Sequence, residues 1–350
     1  MTFPVSSSFV TSPILADTGL ARGAYGANPQ AAAFAGASVR TDGIDHIHQG
    51  EGSPWTAQGL GYDETEGAFF TTYYRKDPPD TITIDPGNNG TLIETPNSQA
   101  SLPNVRLSVQ DGTTGDEVRD VYLAGPDGNQ ELSKGGGVAV AGDYVYVADT
   151  SQVYVYSRDD IYNARPGEIV EAVRVNEVEE GSASYINIHD GKAYVGRWVE
   201  NHPWKSAGDG DPEVHVYEID PETGRFVNED GGYLYNVDDP RRTSADPLAT
   251  IETPYNVQGV AVTDDGVLFS ASFGDFGPAP SDLIWQDWSD SSSYELGDER
   301  HEYDVPDYNE GVQIVDGKVY VATEEGADKY DGDGGLNEIR SYDLDDVKES

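Results

Sequence analysis

The chain has 350 residues, and its 64 acidic and 21 basic side chains leave a net charge of −43 at pH 7 on a sequence that is 37% hydrophobic. So negative a surface repels a polyanion everywhere, which excludes nucleic acid as a main partner and anionic membranes with it. Long-range disorder is not the natural reading either, because 10% of the residues are aromatic and Val-Tyr alternation runs through the chain.

In chain order, residues 1 to 40 form an Ala/Gly/Ser-rich arm with little strand periodicity, expected to dock on a neighbouring subunit ahead of a domain over 41–350. Met1-Thr-Phe-Pro-Val-Ser lacks both the basic region and the unbroken apolar run of a secretory signal. No stretch approaches the roughly 20 apolar residues that span a bilayer, so no membrane insertion is expected. There is no cysteine, hence no disulfide or thiolate chemistry.

From about residue 50 onward, short apolar runs alternate with Gly-Asp, Asp-Gly and Pro turns, which predicts an all-β chain. One unit recurs five times: a small or polar residue, often with Gly, opens a buried strand, and a tight turn leads to a Tyr-rich second strand. The five openings are Gln58-Gly-Leu-Gly-Tyr, Gly137-Val-Ala-Val, Tyr185-Ile-Asn-Ile, Gln258-Gly-Val-Ala-Val and Glu310-Gly-Val-Gln-Ile. Third strands follow, as at Gln152-Val-Tyr-Val-Tyr, Glu213-Val-His-Val-Tyr and Glu338-Ile-Arg-Ser-Tyr, and usually a fourth. Four antiparallel strands per repeat make the blade of a β-propeller, so the expected fold is a ring of five four-stranded blades. Six blades is the alternative, with the N-terminal segment and the stretch around Asp80 to Leu123 hiding another, because the interval from 58 to 136 is long. The last repeat runs out at Ser350, and its missing strand is expected from Ser38 to Ile44, which would close the ring.

At Gln58-Gly-Leu-Gly-Tyr-Asp, Gly135-Gly-Gly-Val-Ala-Val-Ala-Gly-Asp-Tyr-Val-Tyr-Val-Ala-Asp-Thr and Gln258-Gly-Val-Ala-Val the chain resembles a group of secreted bacterial propeller proteins, many of them actinobacterial, over roughly residues 50 to 345. That resemblance implies the fold and little about function. Thr56-Ala-Gln-Gly-Leu is similar to a run in the five-bladed glutaminyl cyclotransferases of plants and bacteria, which place an acid in the next strand; Thr71 and Thr72 stand there instead. An acidic propeller with an Ala/Gly-rich arm and no signal also resembles surface proteins of haloarchaeal tailed viruses. That context implies a virion surface, with an extracellular or cytoplasmic place in a halophilic archaeon as the alternative.

Loops converging on a propeller axis nominate the ligand-binding residues. Those entering the first strands supply Gln58, Ser184, Gln258 and Glu310, and those leaving the second strands supply Tyr73, Asp149, Arg197, Trp198, Phe273 and Glu324. Hydrogen-bonding groups with aromatic platforms and one cation suit a sugar or another small polar ligand. The plainer alternative is that Gln58 and Gln258 tie neighbouring blades together while the acids line a watery channel. Asp331, Asp333, Asn337 and Glu338 cluster around glycines in the way calcium loops do, without the full EF-hand spacing. His46 and His48 share one face of an extended segment, a spacing used by metal sites.

Hydrolase chemistry finds no support: Ser270-Ala-Ser272-Phe-Gly is not a G-x-S-x-G elbow. The expected role is therefore a non-enzymatic, halophilic surface protein that recognises a host glycan or surface-layer protein. The alternative is an enzyme acting on a small polar substrate at the axis, with Glu310, Glu324 and Asp149 as acid or base. In 1 M salt the Debye length is about 3 Å, so the repulsion among carboxylates is nearly silenced there and returns in dilute buffer. The melting temperature should accordingly fall by several degrees between about 3 M and about 0.1 M KCl, and an unchanged value would contradict the salt adaptation.

Overall fold

Short strands that are apolar on both faces need cover on both sides, and Val-Tyr runs such as Gln152–Ser157 and Glu213–Asp220 have that character. The computed structural model describes residues 53–75, 81–84, 93–96, 102–129, 131–179, 181–201, 210–272, 281–327 and 338–350. There the chain meets this demand with five sheets set in a ring, a five-bladed β-propeller. No helix among the described residues is long and apolar enough to cross a membrane.

Blade one contains β1 (Thr56–Asp63) and β2 (Ala68–Tyr74), then a separate hairpin of β3 (Thr81–Ile84) and β4 (Ile93–Pro96), then β5 (Val105–Asp111) and β6 (Glu117–Ala124). The hairpin and the β5–β6 pair fill the described part of the long first interval, and those described residues form no sixth blade. Blade two begins with β7 (Gly137–Ala141), β8 (Tyr144–Asp149) and β9 (Gln152–Ser157). Helix α1 (Arg158–Asn163) follows, its first turn capped by the Ser157 hydroxyl accepting from the Asp160 N–H. Next, β10 (Glu168–Glu171) returns to pair parallel with β6, and β11 (Arg174–Glu177) pairs with β9.

Blade three takes β12 (Tyr185–His189), β13 (Lys192–Gly196), β14 (Glu213–Asp220) and β15 (Arg225–Val227). The chain then doubles back through β16 (Leu234–Tyr235) and β17 (Arg242–Ser244), which extend blade two beside β11. On its return β18 (Ala249–Glu252) pairs with the first half of β14, so the fourth position of blade three is shared between two strands. Blade four is the regular one, β19 (Val257–Val262), β20 (Gly266–Ala271), β21 (Ser281–Asp290) and β22 (Glu295–Val305). Blade five has β23 (Asn309–Val315), β24 (Lys318–Thr323) and β25 (Arg340–Asp343), followed by helix α2 (Leu344–Lys348). The closing strand expected at Ser38 to Ile44 and the arm over 1–40 lie outside the described residues.

Each pair of neighbouring blades encloses its own apolar cluster. Phe70 and Leu107 meet Val147 and Tyr156 between blades one and two, and Val195 and Tyr217 meet Tyr146 between two and three. Val216 meets Phe269 between three and four, and Leu268 and Trp285 meet Val321 between four and five, where Val347 of α2 is fully buried. Leu60, Tyr62 and Phe69 close the circle on Tyr320 and Ala322 of blade five, with the Phe69 and Tyr320 rings 4.8 Å apart. At about 25 cal/mol per Å² of apolar area, each seam supplies burial that an isolated blade cannot reach.

The innermost strands touch around the ring in the order β1, β7, β12, β19, β23 and back to β1. Contact there is between backbones, and a Cβ added at Gly59 would stand 2.6 Å from the Gly137 Cα, while one at Gly259 would stand 2.7 Å from the Glu310 carbonyl oxygen. Blade three departs from this pattern. Tyr185 occupies the equivalent position, and its buried ring lies on Gly196, where any Cβ would collide with it.

Gly59→Ala should lose about 1–3 kcal/mol in denaturant unfolding at high salt, since the methyl meets backbone that cannot rotate away; an unchanged midpoint would refute the close approach. A second prediction concerns Asp282 on β21, which faces Asp304 across the β21–β22 pair. Burial, with Glu302 and Asp304 close by, pushes its carboxyl up to about 6. The folded state thus holds a proton that the unfolded chain has released, so this site favours folding at low pH and the benefit is lost as pH rises through about 6. Asp282→Asn should melt above the parent near pH 7.5 at fixed salt, with the gap narrowing as pH falls towards about 4.

Candidate functional site

Three of the five first strands carry a β-bulge where they reach the axial face. The register slips between Ala57 and Leu60 in β1, between Val257 and Gly259 in β19, and between Asn309 and Val312 in β23. A bulge re-aims a side chain, and here it turns Gln58, Gln258 and Glu310 towards the axis. The residue two positions before each of the last two, Asn256 and Tyr308, has φ of 63°. Asn tolerates that region, whereas Tyr308 is strained, and its carbonyl accepts the Glu324 N–H at 3.0 Å.

The axial face holds a cup of about 330 Å³. Its acidic side belongs to blade five, where Glu310 and Glu324 are 3% and 8% exposed. Each carboxylate accepts an amide N–H from a neighbouring blade, Gln258 to Glu310 at 3.0 Å and Gln58 to Glu324 at 3.2 Å. The opposite wall contains Gly136, Thr150, Ala183, Ser184 and Trp198, with Lys134 and Tyr74 between the two sides. Lys134 Nζ stands 4.1 Å from the Tyr74 ring centroid, a cation–π contact at the rim. Thr150, β-branched and with φ of 63°, is a strained residue on this opposite wall.

Beneath the cup the glycine-rich inner strands leave a gap of only about 10 Å³, room for about one water. On another stretch of the same inner strands the Asn187 side-chain amide donates to Gln313 at 3.2 Å, linking the non-adjacent blades three and five. Asn187 Oδ1 also accepts the Val262 N–H of blade four. The described residues therefore form a blind cup rather than a channel.

Six of the ten axial candidates line this cup: Gln58, Ser184, Trp198, Gln258, Glu310 and Glu324. Tyr73 does not; its fully buried ring lies in the sheet, near Ser108, because strand alternation turns Tyr74 to the cup instead. Asp149 lies behind the wall, accepting the backbone N–H groups of Ser133, Lys134 and Gly135. Burial pushes its carboxyl up while those three donors pull it down, and the geometry makes it an anchor for the loop that carries Lys134. Arg197 points away from the cup to Ser182 and Glu179, at 3.0 and 3.5 Å. Phe273 lies outside the described residues.

Of the metal candidates, Asp331, Asp333, Asn337, His46 and His48 lie outside the described residues, and Glu338 is buried and paired with Arg340 at 2.9 Å. Sequence inspection passed over Lys134, Tyr74 and Thr150, and it passed over a group at the seam of blades two and three, Glu179, Glu213 and His215. The Thr72 hydroxyl accepts the Gly59 N–H at the bulge and donates to the Gly135 carbonyl, so it serves the backbone.

No protein-family model matches the chain, and no curated protein matches it. Among solved structures it is similar to a nidogen/laminin complex, at 11% identity and a TM-score of 0.40 over 83% of this chain and 77% of that one. It is similar to a glutaminyl cyclase of Myxococcus xanthus, at 11% identity and 0.41 over 84% and 93%. It is also similar to a PQQ-bound aldose sugar dehydrogenase of Streptomyces coelicolor, at 13% identity and 0.37 over 82% and 93%. At such identities and superpositions these likenesses carry nothing about activity, and the propeller assignment rests on the sheets themselves.

Proposed function

We infer that the protein is a non-enzymatic binding propeller whose axial cup takes one sugar unit, or a polyol of similar size. The observation that carries this reading is Trp198, 41% exposed on the cup wall while its backbone N–H donates to the Ser184 hydroxyl at 3.1 Å. A sugar ring has an apolar C–H face and an edge of hydroxyls. The indole suits the face, and Gln58, Gln258, Glu310 and Glu324 suit the edge. A volume of 330 Å³ lies near the lower end of the roughly 300–1,000 Å³ of small-molecule pockets, which favours a single residue of a glycan over a long chain.

The setting we attach to this role is a virion surface in concentrated brine, with a host glycan or surface-layer protein as partner and the arm over 1–40 holding a neighbouring subunit. The acid excess supports the brine, and the resemblance to haloarchaeal tailed-virus surface proteins supports the particle. A glycan panel screened at molar salt, followed by calorimetry on the best ligand, tests the binding role. Trp198→Ala should weaken that ligand at least about tenfold, or ~1.4 kcal/mol, with the melting temperature unchanged. Binding indifferent to Trp198 would remove the cup from the account. Turnover of the bound sugar that Glu310→Gln or Glu324→Gln abolishes would make the protein an enzyme instead.

A further inference from the structure

Strand β14 has the alternation Glu213-Val-His215-Val-Tyr217, which places Glu213 and His215 on one face. That face packs against blade two, where Tyr217 and Tyr146 share an apolar cluster. Just beyond β11 of blade two the chain supplies Glu179. The three donors lie within 4.8 Å of one another, with His215 Nε2 3.1 Å from Glu213 Oε1 and 3.9 Å from Glu179 Oε2.

We propose that Glu179, Glu213 and His215 form a binding site for a divalent transition-metal ion of the zinc type, which would tie blade two to blade three. One nitrogen and two carboxylate oxygens are a donor set that zinc accepts, whereas calcium and magnesium favour oxygen alone. In a tetrahedron with ligands about 2.0–2.1 Å from zinc, neighbouring donors stand roughly 3.4 Å apart. The observed 3.1 and 3.9 Å straddle that edge, so small side-chain rotations complete the geometry.

The local chemistry calls for positive charge at this point. A neutral imidazole with its proton on Nδ1 would turn the Nε2 lone pair towards two carboxylates, and three electron-pair donors would face one another. A proton on Nε2 serves Glu213 and leaves Glu179 Oε2 beyond hydrogen-bond reach. A divalent ion serves all three donors at once. His215 is 4% exposed, and its Nδ1 has no hydrogen-bond partner among the described residues, so the carboxylates at Nε2 are the polar groups that orient the ring. Glu179 is the solvent-facing ligand, with a side chain 62% exposed, which gives an ion its way in and leaves a fourth position for water. Among the described residues Arg197 stands beside the site, 3.5 Å from the other Glu179 oxygen and also bonded to Ser182, so it can stay in place while Glu179 Oε2 binds the ion.

Zinc titration in molar KCl with excess magnesium, which occupies indiscriminate carboxylate sites, is the direct test. One equivalent of zinc should bind with a raised melting temperature, and cobalt in its place should give the strong visible bands of a low-symmetry site. Glu179→Gln and Glu213→Gln should each weaken zinc by more than the roughly 10- to 100-fold that loss of an outer-shell partner costs. His215→Asn should abolish the cobalt bands. Should that buried substitution unfold the protein, the exposed Glu179→Gln still decides the matter. Failure of wild-type protein to bind an equivalent of zinc above the magnesium background would overturn the site, as would equal zinc affinity in the Glu179→Gln/Glu213→Gln double variant. Sugar binding at the cup is read separately, so either result stands without the other.

Discussion

Five sheets can converge on one axis only where their inner strands come into backbone contact, and side chains have to be absent at the points of closest approach. Gly59 against Gly137, and Gly259 against the Glu310 carbonyl, are such points. The same crowding produces the site. Extra residues at the start of β1, β19 and β23 are accommodated as bulges, and these turn Gln58, Gln258 and Glu310 inward. Narrowing below and bulging above leave a blind cup, so the geometry that lets the ring close also determines where a ligand can sit.

The charge of the chain and its cohesion are handled in different places. Apolar clusters run between the blades, where both faces of each sheet are covered, while the carboxylates crowd the outer strands, above all Glu295–Val305. The few cations are spent locally. Arg158 meets the buried Asp63 at 3.2 Å, Arg106 pairs with Asp120 and lies over the Trp55 and Tyr122 rings, and Lys348 covers Trp285 while meeting Asp265. So little positive charge leaves most surface carboxylates of the described residues without an ion-pair partner. The cup inherits this imbalance, with two carboxylates facing one lysine.

The axial residues were legible unevenly. Gln58, Gln258 and Glu310 stand before a glycine at the head of a repeat, so repetition alone marked them. The Gln258–Glu310 and Gln58–Glu324 bonds give the glutamines the blade-tying role, on the same wall that lines the cup. Tyr74 faces the cup and Tyr73 the sheet interior, because a strand end one residue out of phase presents the opposite face. Asp149 and Arg197 sit at the expected ends of β8 and β13, yet their partners, the 133–135 loop and Glu179, draw them away from the axis. Lys134 gave no sign, since it belongs to a loop with no strand pattern.

Period-two alternation, turn residues and a repeated opening were sufficient for the fold class, the count of blades and the heads of the inner strands, because each is encoded within a few consecutive residues. Blade completion was not local. That β10 would return to β6, that β17 would extend blade two, and that β15 and β18 would divide one edge of β14 depends on which edges the ring leaves uncovered. The grouping of Glu179 with Glu213 and His215 has the same origin. The strand pair was visible as alternation, but its third member arrives from another blade, and only packing across a seam brings such distant carboxylates to one point.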